Sequence, residues 1–258
     1  LKPCGSGYVA SHGADFVQFN DRWSQIINLR FDHDGSVYLI DWYDKNQCHR
    51  REPDSHDRSN GRVFKVIYQD EKRTTVDLAR HTHMELAQLQ SHPNEWQARH
   101  ARRALQERLA KQAGLPKDFG KVDAILKTQL AKGKTTTLRL RALWCLHVVS
   151  DLAEADLLAL LKDRDAMLRG WAIQLLCENK RPSASARGEF SRMAREDKSP
   201  IVRMYLASAM DRTPVAQRVP ILTGLLSHAE DATDPTLLPL YWYATEPIVA
   251  ANKPAAIQ

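Results

Sequence analysis

Apolar and polar residues alternate from Ile27 to Phe31: Ile27, Leu29 and Phe31 are separated by Asn28 and Arg30, the period of a half-buried β-strand. Asp32-His33-Asp34-Gly35 then reads as a hairpin turn closed by a positive φ at Gly35. The run from Val37 to about Trp42 is almost continuously apolar, which predicts a strand buried on both faces. Between Tyr43 and Asn60 the periodicity stops and Asp, His, Arg, Ser and Pro dominate, a long polar excursion before Phe64, Val66 and Tyr68 restart the alternation. Ahead of these strands, Gly5 to Phe16 is glycine-rich and polar. So few strands leave edges unpaired and an inner face bare, so further strands are expected before Leu1.

After Tyr68 the period changes to that of an α-helix. Met84, Leu86 and Leu89 form one short apolar stripe, His92-Pro93-Asn94 interrupts it, and Ala101, Ala104, Leu105 and Leu109 continue at helical spacing. The same grammar recurs in pairs: Val122 to Leu130 with Leu138 to Val149, Ala155 to Leu161 with Leu168 to Cys177, Ala184 to Ala194 with Ile201 to Met210, and Val219 to Leu226 with Leu237 to Val249. The second members align on an apolar residue followed by arginine, at Arg139, Arg169 and Arg203, spaced 30 and 34 residues apart (169 − 139 and 203 − 169). A recurrence of that length is how HEAT-type helical hairpins read, each burying its apolar face against the next. The expected fold is therefore mainly α, a HEAT-like α-solenoid over residues 71–258 preceded by a small antiparallel β segment over residues 1–70.

Composition changes this picture little. The 258 residues are 43% hydrophobic and 26% charged, ordinary for a globular chain, with a formal net charge of +6. The basic residues are dispersed among acids, which does not indicate a nucleic-acid partner. No apolar run reaches the roughly 18 to 20 residues that cross a bilayer, and Leu1-Lys2-Pro3-Cys4 has neither an initiator Met nor a signal-peptide core. The chain is expected to be part of something longer. Cys4, Cys48, Cys145 and Cys177 form no C-x-x-C-H site, so no covalent haem is expected within it.

Candidate chemistry gathers in the polar excursion. Asp41, Asp44, Cys48, His49, Asp54, His56 and Asp57 are residue types that could hold a metal or a polar ligand, though their spacing matches no known cage. The competing structural reading has Asp41 and His49 bonding the loop's own backbone while Arg62 pairs with a loop carboxylate. Arg99, His100, Arg102 and Arg103 make a basic helix face that could meet phosphate or an acidic partner, or could be solvated, with Glu107 placed to pair with Arg103. Cys145 and Cys177 lie in apolar helix text and read as small buried residues, and Trp144, Trp171 and Trp242 read as core anchors.

Asp34-Gly35-Ser36-Val37-Tyr38, Asp41-Trp42-Tyr43-Asp44, Cys48-His49 and Asp57-Arg58-Ser59-Asn60-Gly61-Arg62 together resemble the last propeller blade of a bacterial family described as membrane-bound dehydrogenases. His92-Pro93-Asn94-Glu95-Trp96 with Arg99-His100-Ala101-Arg102-Arg103, then Arg139-Leu140-Arg141-Ala142-Leu143-Trp144, then Asp234-Pro235 with Trp242-Tyr243-Ala244 and Glu246-Pro247, are similar to landmarks of that family's HEAT region. The resemblance implies an extracytoplasmic parent protein with a quinoprotein-like β-propeller, a HEAT solenoid and a C-terminal c-type haem domain. A PQQ-like quinone and a catalytic base would sit in blades that this chain lacks, and the haem would lie beyond it. The expected role of the chain is that of a scaffold or partner-binding surface, with the missing blades and the haem domain as partners. The alternative is that the polar loop lines a quinone-dependent oxidoreductase site passing electrons to that haem.

Overall fold

The computed structural model of the chain describes residues 1–44, 59–69, 75–111, 114, 116–150 and 152–251. The protein is mainly helical with a small antiparallel sheet. Among the described residues the strands are β1 (Lys2–Cys4), β2 (Gly7–Val9), β3 (Ile26–Phe31), β4 (Val37–Asp41) and β5 (Arg62–Val66). The α-helices follow as α1 (His83–Gln88), α2 (Glu95–Ala110), α3 (Phe119–Lys132), α4 (Thr136–Val149), α5 (Glu154–Leu160), α6 (Ala166–Leu176), α7 (Ala184–Glu196), α8 (Pro200–Met210), α9 (Val219–Leu226) and α10 (Leu237–Ala251). The change from strand to helix near residue 70 falls after β5. By contacts the chain divides differently, into one unit of residues 13–132 and 141–150 and another of residues 1–12, 133–140 and 151–258.

In the first unit the strand order is β3-β4-β5, all antiparallel. The β3–β4 turn closes through Gly35, whose φ of 85° suits the residue with no Cβ, with the Gly35 N–H donating to Asp32 O at 3.0 Å. Leu39 is central, paired with Leu29 and Phe64, and only 2% exposed. β4 is not buried on both faces as its apolar run predicts: Ile40 and, just beyond the strand, Trp42 are 43% and 57% exposed. The reason is register. Ile40 pairs with Val63 and Asn28, and on that face no layer of described residues covers it.

The helices of this unit begin where local chemistry dictates. Thr82 and Glu85 form a reciprocal capping box at α1, and the Asn94 side chain accepts the Trp96 N–H to cap α2. Asn94 also ties sheet to helix, because its Nδ2 donates to Asp32 O and His33 O at 2.9 and 3.0 Å. Gln97 Nε2 adds a bond to His33 O, and the His33 and Trp96 rings lie 5.5 Å apart. The hairpin tip and the His92-Pro93-Asn94 helix break, read separately in the sequence, are one contact.

In the second unit α6 packs on α8 and α8 on α10, while α7 packs on α9. The amphipathic stripe of α7, Ala186, Phe190, Met193 and Ala194, supplies much of the core with Ile173, Leu206 and Ile221. Two approaches between helices are close enough to require glycine. A Cβ on Gly170 of α6 would stand 2.4 Å from the Tyr205 ring of α8, and one on Gly224 of α9 would stand 2.9 Å from Ala194 of α7. Trp242 is 58% exposed and therefore no core anchor, whereas Trp171 is part-buried near Tyr205.

The stretch from Gly5 to Phe16 holds more order than its polarity suggests. β1 and β2 pair antiparallel around a Gly5-Ser6 turn. Ser6 donates its backbone N–H to Asp234 Oδ2 at 2.7 Å and its hydroxyl to Oδ1 at 2.9 Å. Asp234 at the same time caps α10 by accepting the Thr236 and Leu237 N–H groups. Gly5 has φ of 55°, and any Cβ there would stand 2.2 Å from the Asp234 carboxylate.

These packing distances set opposite outcomes for two glycines. Gly170→Ala should destabilise the chain by about 1 to 3 kcal/mol through overpacking against Tyr205. Gly188→Ala, inside α7 with open space at its Cβ position, should stabilise it by about 0.5 to 1 kcal/mol through helix propensity. Urea midpoints of the two variants moving in the same direction would refute the close approach of α6 and α8.

Candidate functional site

The strands bring Asp41 and Arg62 together. Both sit at strand ends and pair directly across β4 and β5. Asp41 is 2% exposed, and both its oxygens are taken: Oδ1 accepts the Gln25 N–H and Oδ2 accepts Arg62 Nε, each at 2.7 Å. Arg62 Nη2 also donates to Asp21 Oδ2 at 3.0 Å, and its guanidinium lies over the Tyr43 ring at 4.6 Å. The hydrogen bonds that Arg62 donates to Asp41 first and to Asp21 next outweigh desolvation and hold its guanidinium above its ordinary pKa. A cation at Asp41 would have to displace this guanidinium.

Asp44 is buried and anchored through its backbone, its N–H donating to Trp23 O at 2.9 Å and its carbonyl accepting Gln25 Nε2 at 3.2 Å. Cys48, His49, Asp54, His56 and Asp57 lie outside the described residues.

The ligand atoms of Asp32, His33 and Asp34 lie within 4.8 Å of one another, a grouping that sequence reading takes only as a turn. The turn itself uses them. His33 Nδ1 is 2.8 Å from Asp32 Oδ1, while Asp34 accepts the Ser36 N–H at 2.9 Å and Lys65 Nζ at 2.8 Å. The Lys65 bond, with the Ser36 backbone, holds the Asp34 carboxyl far below the usual aspartate range.

Arg139, Arg169 and Arg203 each pair with an aspartate carboxylate, and Arg169 and Arg203 share one geometry. Arg169 forks onto Asp197, with Nε and Nη2 donating to the two carboxylate oxygens at 2.8 Å each, and its Nη1 donates to the backbone oxygen of Asp163 at 2.8 Å. Arg203 forks in the same way onto Asp231 and reaches the backbone oxygen of Asp197 at 3.0 Å. Arg139 grips the Asp163 carboxylate. Each aspartate thus gives its carboxylate to one arginine, and Asp163 and Asp197 give a backbone carbonyl to the next, so the pairs form a relay. Asp231 ends it by also accepting the Tyr241 hydroxyl at 2.6 Å.

The aspartates are not singled out by sequence reading, yet a signal exists. They stand at 163, 197 and 231, a constant step of 34 (197 − 163 and 231 − 197). Asp163 and Asp197 also accept a backbone N–H two residues on, from Asp165 and Ser199, which shapes their own loops.

Little of this is free for catalysis. Burial pushes the Cys145 thiol up to about 12 and Cys177 up to about 11, so neither is a nucleophile at neutral pH. Burial and the Asp231 carboxylate raise the Tyr241 hydroxyl well above its ordinary value. A cleft of about 260 Å³ is lined by Arg203, Asp231 and Asp234, but these are engaged with one another's neighbours and with Ser6.

Two stability measurements follow. Arg203→Met leaves Asp231 buried without its cation and should cost about 3 to 5 kcal/mol; a urea midpoint equal to that of the wild type would refute the pairing. Burial raises the Asp163 carboxyl, but the bonds from Arg139 and the Asp165 backbone outweigh it and leave the pKa below 3.8. A carboxyl depressed in the folded state stabilises above its unfolded pKa, and that stabilisation is lost as pH falls below about 4. Asp163→Asn should therefore be less stable at pH 7 with a shallower loss below pH 4, and parallel stability curves for variant and wild type would contradict the assignment.

Comparison with family models, with curated proteins and with solved structures gives no match, so the functional reading rests on the residues and their geometry.

Proposed function

We propose that residues 71–258 form a HEAT-type solenoid serving as a non-catalytic scaffold in a larger, extracytoplasmic dehydrogenase-like protein, and that the β3-β4-β5 sheet is the end of its β-propeller. The observation that carries this reading is the relay of Arg139, Arg169 and Arg203 through Asp163, Asp197 and Asp231, which sets successive helix pairs at a repeated spacing. The packing of α6 on α8, α8 on α10 and α7 on α9 supports it, since stacked hairpins place like helices side by side. The exposed Ile27, Leu29, Ile40 and Val63 support the propeller reading, because a blade inside a propeller would have such residues covered. In this reading the quinone and the haem belong to the missing blades and to a downstream domain, and the chain spaces one from the other.

Two experiments test it. Incubated with pyrroloquinoline quinone, calcium and an artificial electron acceptor, the chain should reduce no dye with a panel of aldoses and alcohols. Quinone-dependent dye reduction lost in Asp41→Ala would replace the scaffold with an oxidoreductase site at the polar loop. Stability in a solenoid is a sum of nearest-neighbour terms. Native-state hydrogen exchange of Arg203→Met should then lose protection in α8 to α10 and keep it in α1 to α3. Uniform loss throughout the chain would refute the repeat architecture.

A further inference from the structure

The basic face of α2 is not one surface. Arg103 is exposed and paired with Glu107 at 2.6 Å, an ordinary helical ion pair. Arg108 donates to the carbonyls of Leu78, Ala79 and His81. His100 turns its Nδ1 to Trp96 O at 2.8 Å and stacks on that ring. Arg102 differs from all of them. It is part-buried, with its guanidinium carbon 5.4 Å from the centre of the Trp144 ring, and its Nη1 is buried with no hydrogen-bond partner.

The charges around Arg102 do not balance. Arg99 and Arg141 repel it and Glu95 attracts it, while the buried Cys145 thiol stays protonated at neutral pH and offers no charge. Glu95 is itself taken by Arg141 Nη2. Arg141 spends its Nη1 on His92 O at 2.7 Å, and its Nε is also buried without a partner. The contrast with the relay is direct: Arg169 and Arg203 each reach a carboxylate by a bidentate fork and a carbonyl besides. A buried N–H left unpaired and a desolvated cation left without its anion are both destabilising, and a bound ion is one of the ways such groups are satisfied. Burial draws Arg102 below the ordinary arginine pKa, yet a guanidinium stays charged at neutral pH. An arginine laid over an aromatic ring keeps its edge N–H groups in a planar fork, the geometry that meets phosphate and carboxylate oxygens.

We propose that Arg102, held over Trp144 and flanked by Arg99, is a binding site for a small oxyanion, a phosphate or a carboxylate group. The site is independent of the scaffold reading, since it requires only α2 and the Trp144 stretch of α4.

The test is thermal unfolding of the whole chain in increasing inorganic phosphate, and separately in acetate, with ionic strength held constant by chloride. The melting temperature should rise saturably with at least one of the two oxyanions, and which one it follows tells phosphate from carboxylate. Arg102→Met should abolish the saturable rise, and Arg99→Met should weaken it by about tenfold, as loss of one charged donor implies. Without oxyanion, Arg102→Met should be as stable as the wild type or more so, because it removes an unpaired cation; in saturating oxyanion the order should reverse. Arg103→Met, at the exposed pair, should respond like the wild type. No saturable response, or one that persists in Arg102→Met as a general salting effect, would overturn the site.

Discussion

The bidentate arginine–aspartate pair is the interaction on which the helical part depends. Apolar stripes such as Phe190, Met193 and Ala194 make α7 adhere to its neighbours, but burial is non-directional and leaves sliding between helices weakly specified. A guanidinium fork is directional. With Arg169 fixed on both oxygens of Asp197 and on the Asp163 carbonyl, a shift of one turn would break every bond at once. The separations within the pairs are 24, 28 and 28 residues, so the first is one helical turn shorter, and the short α5 lies within it. Desolvating these charges is costly, so the relay is better understood as fixing register than as adding net stability.

The sheet unit is held by a different kind of constraint. Its hairpin tip offers the backbone carbonyls of Asp32 and His33, and these are met by the amides of Asn94 and Gln97, so the strands are anchored by backbone groups rather than by apolar burial. Only Leu39 among the strand residues is a fully buried apolar side chain, whereas Ile27, Leu29, Ile40 and Val63 remain largely exposed. The Asp41–Arg62 pair adds a polar lock at the other end of β4 and β5.

The helices were legible because each buries a stripe at helical period, and that period survives in the sequence whatever the tertiary context. Their arginines were legible because they sit at fixed places within those stripes. The aspartates escaped because they lie in loops, where no periodicity draws attention to Asp163, Asp197 or Asp231, although their step of 34 was present. Arg62 with a carboxylate of the polar loop could be expected from the strand ends, but Gln25 as the second partner of Asp41 could not, since its contribution is a backbone N–H from another segment. The Gly5-Ser6 turn was the least legible element, as its order comes from Asp234, 228 residues away. β4 was misjudged for the converse reason: an apolar run shows what a strand could bury, not what covers it.

Arg102 shows the same limit in electrostatics. On α2 alone it belongs to a basic face that a helical wheel would assign to solvent, beside Arg99 and Arg103. The Trp144 ring of α4 changes that assignment by removing water from one side of the guanidinium without supplying a counter-charge. Arg139, Arg169 and Arg203 each face an aspartate at a repeated spacing. Among the described residues Arg102 has no such aspartate opposite it, and in the proposed site an oxyanion takes the place that the aspartate holds in the relay.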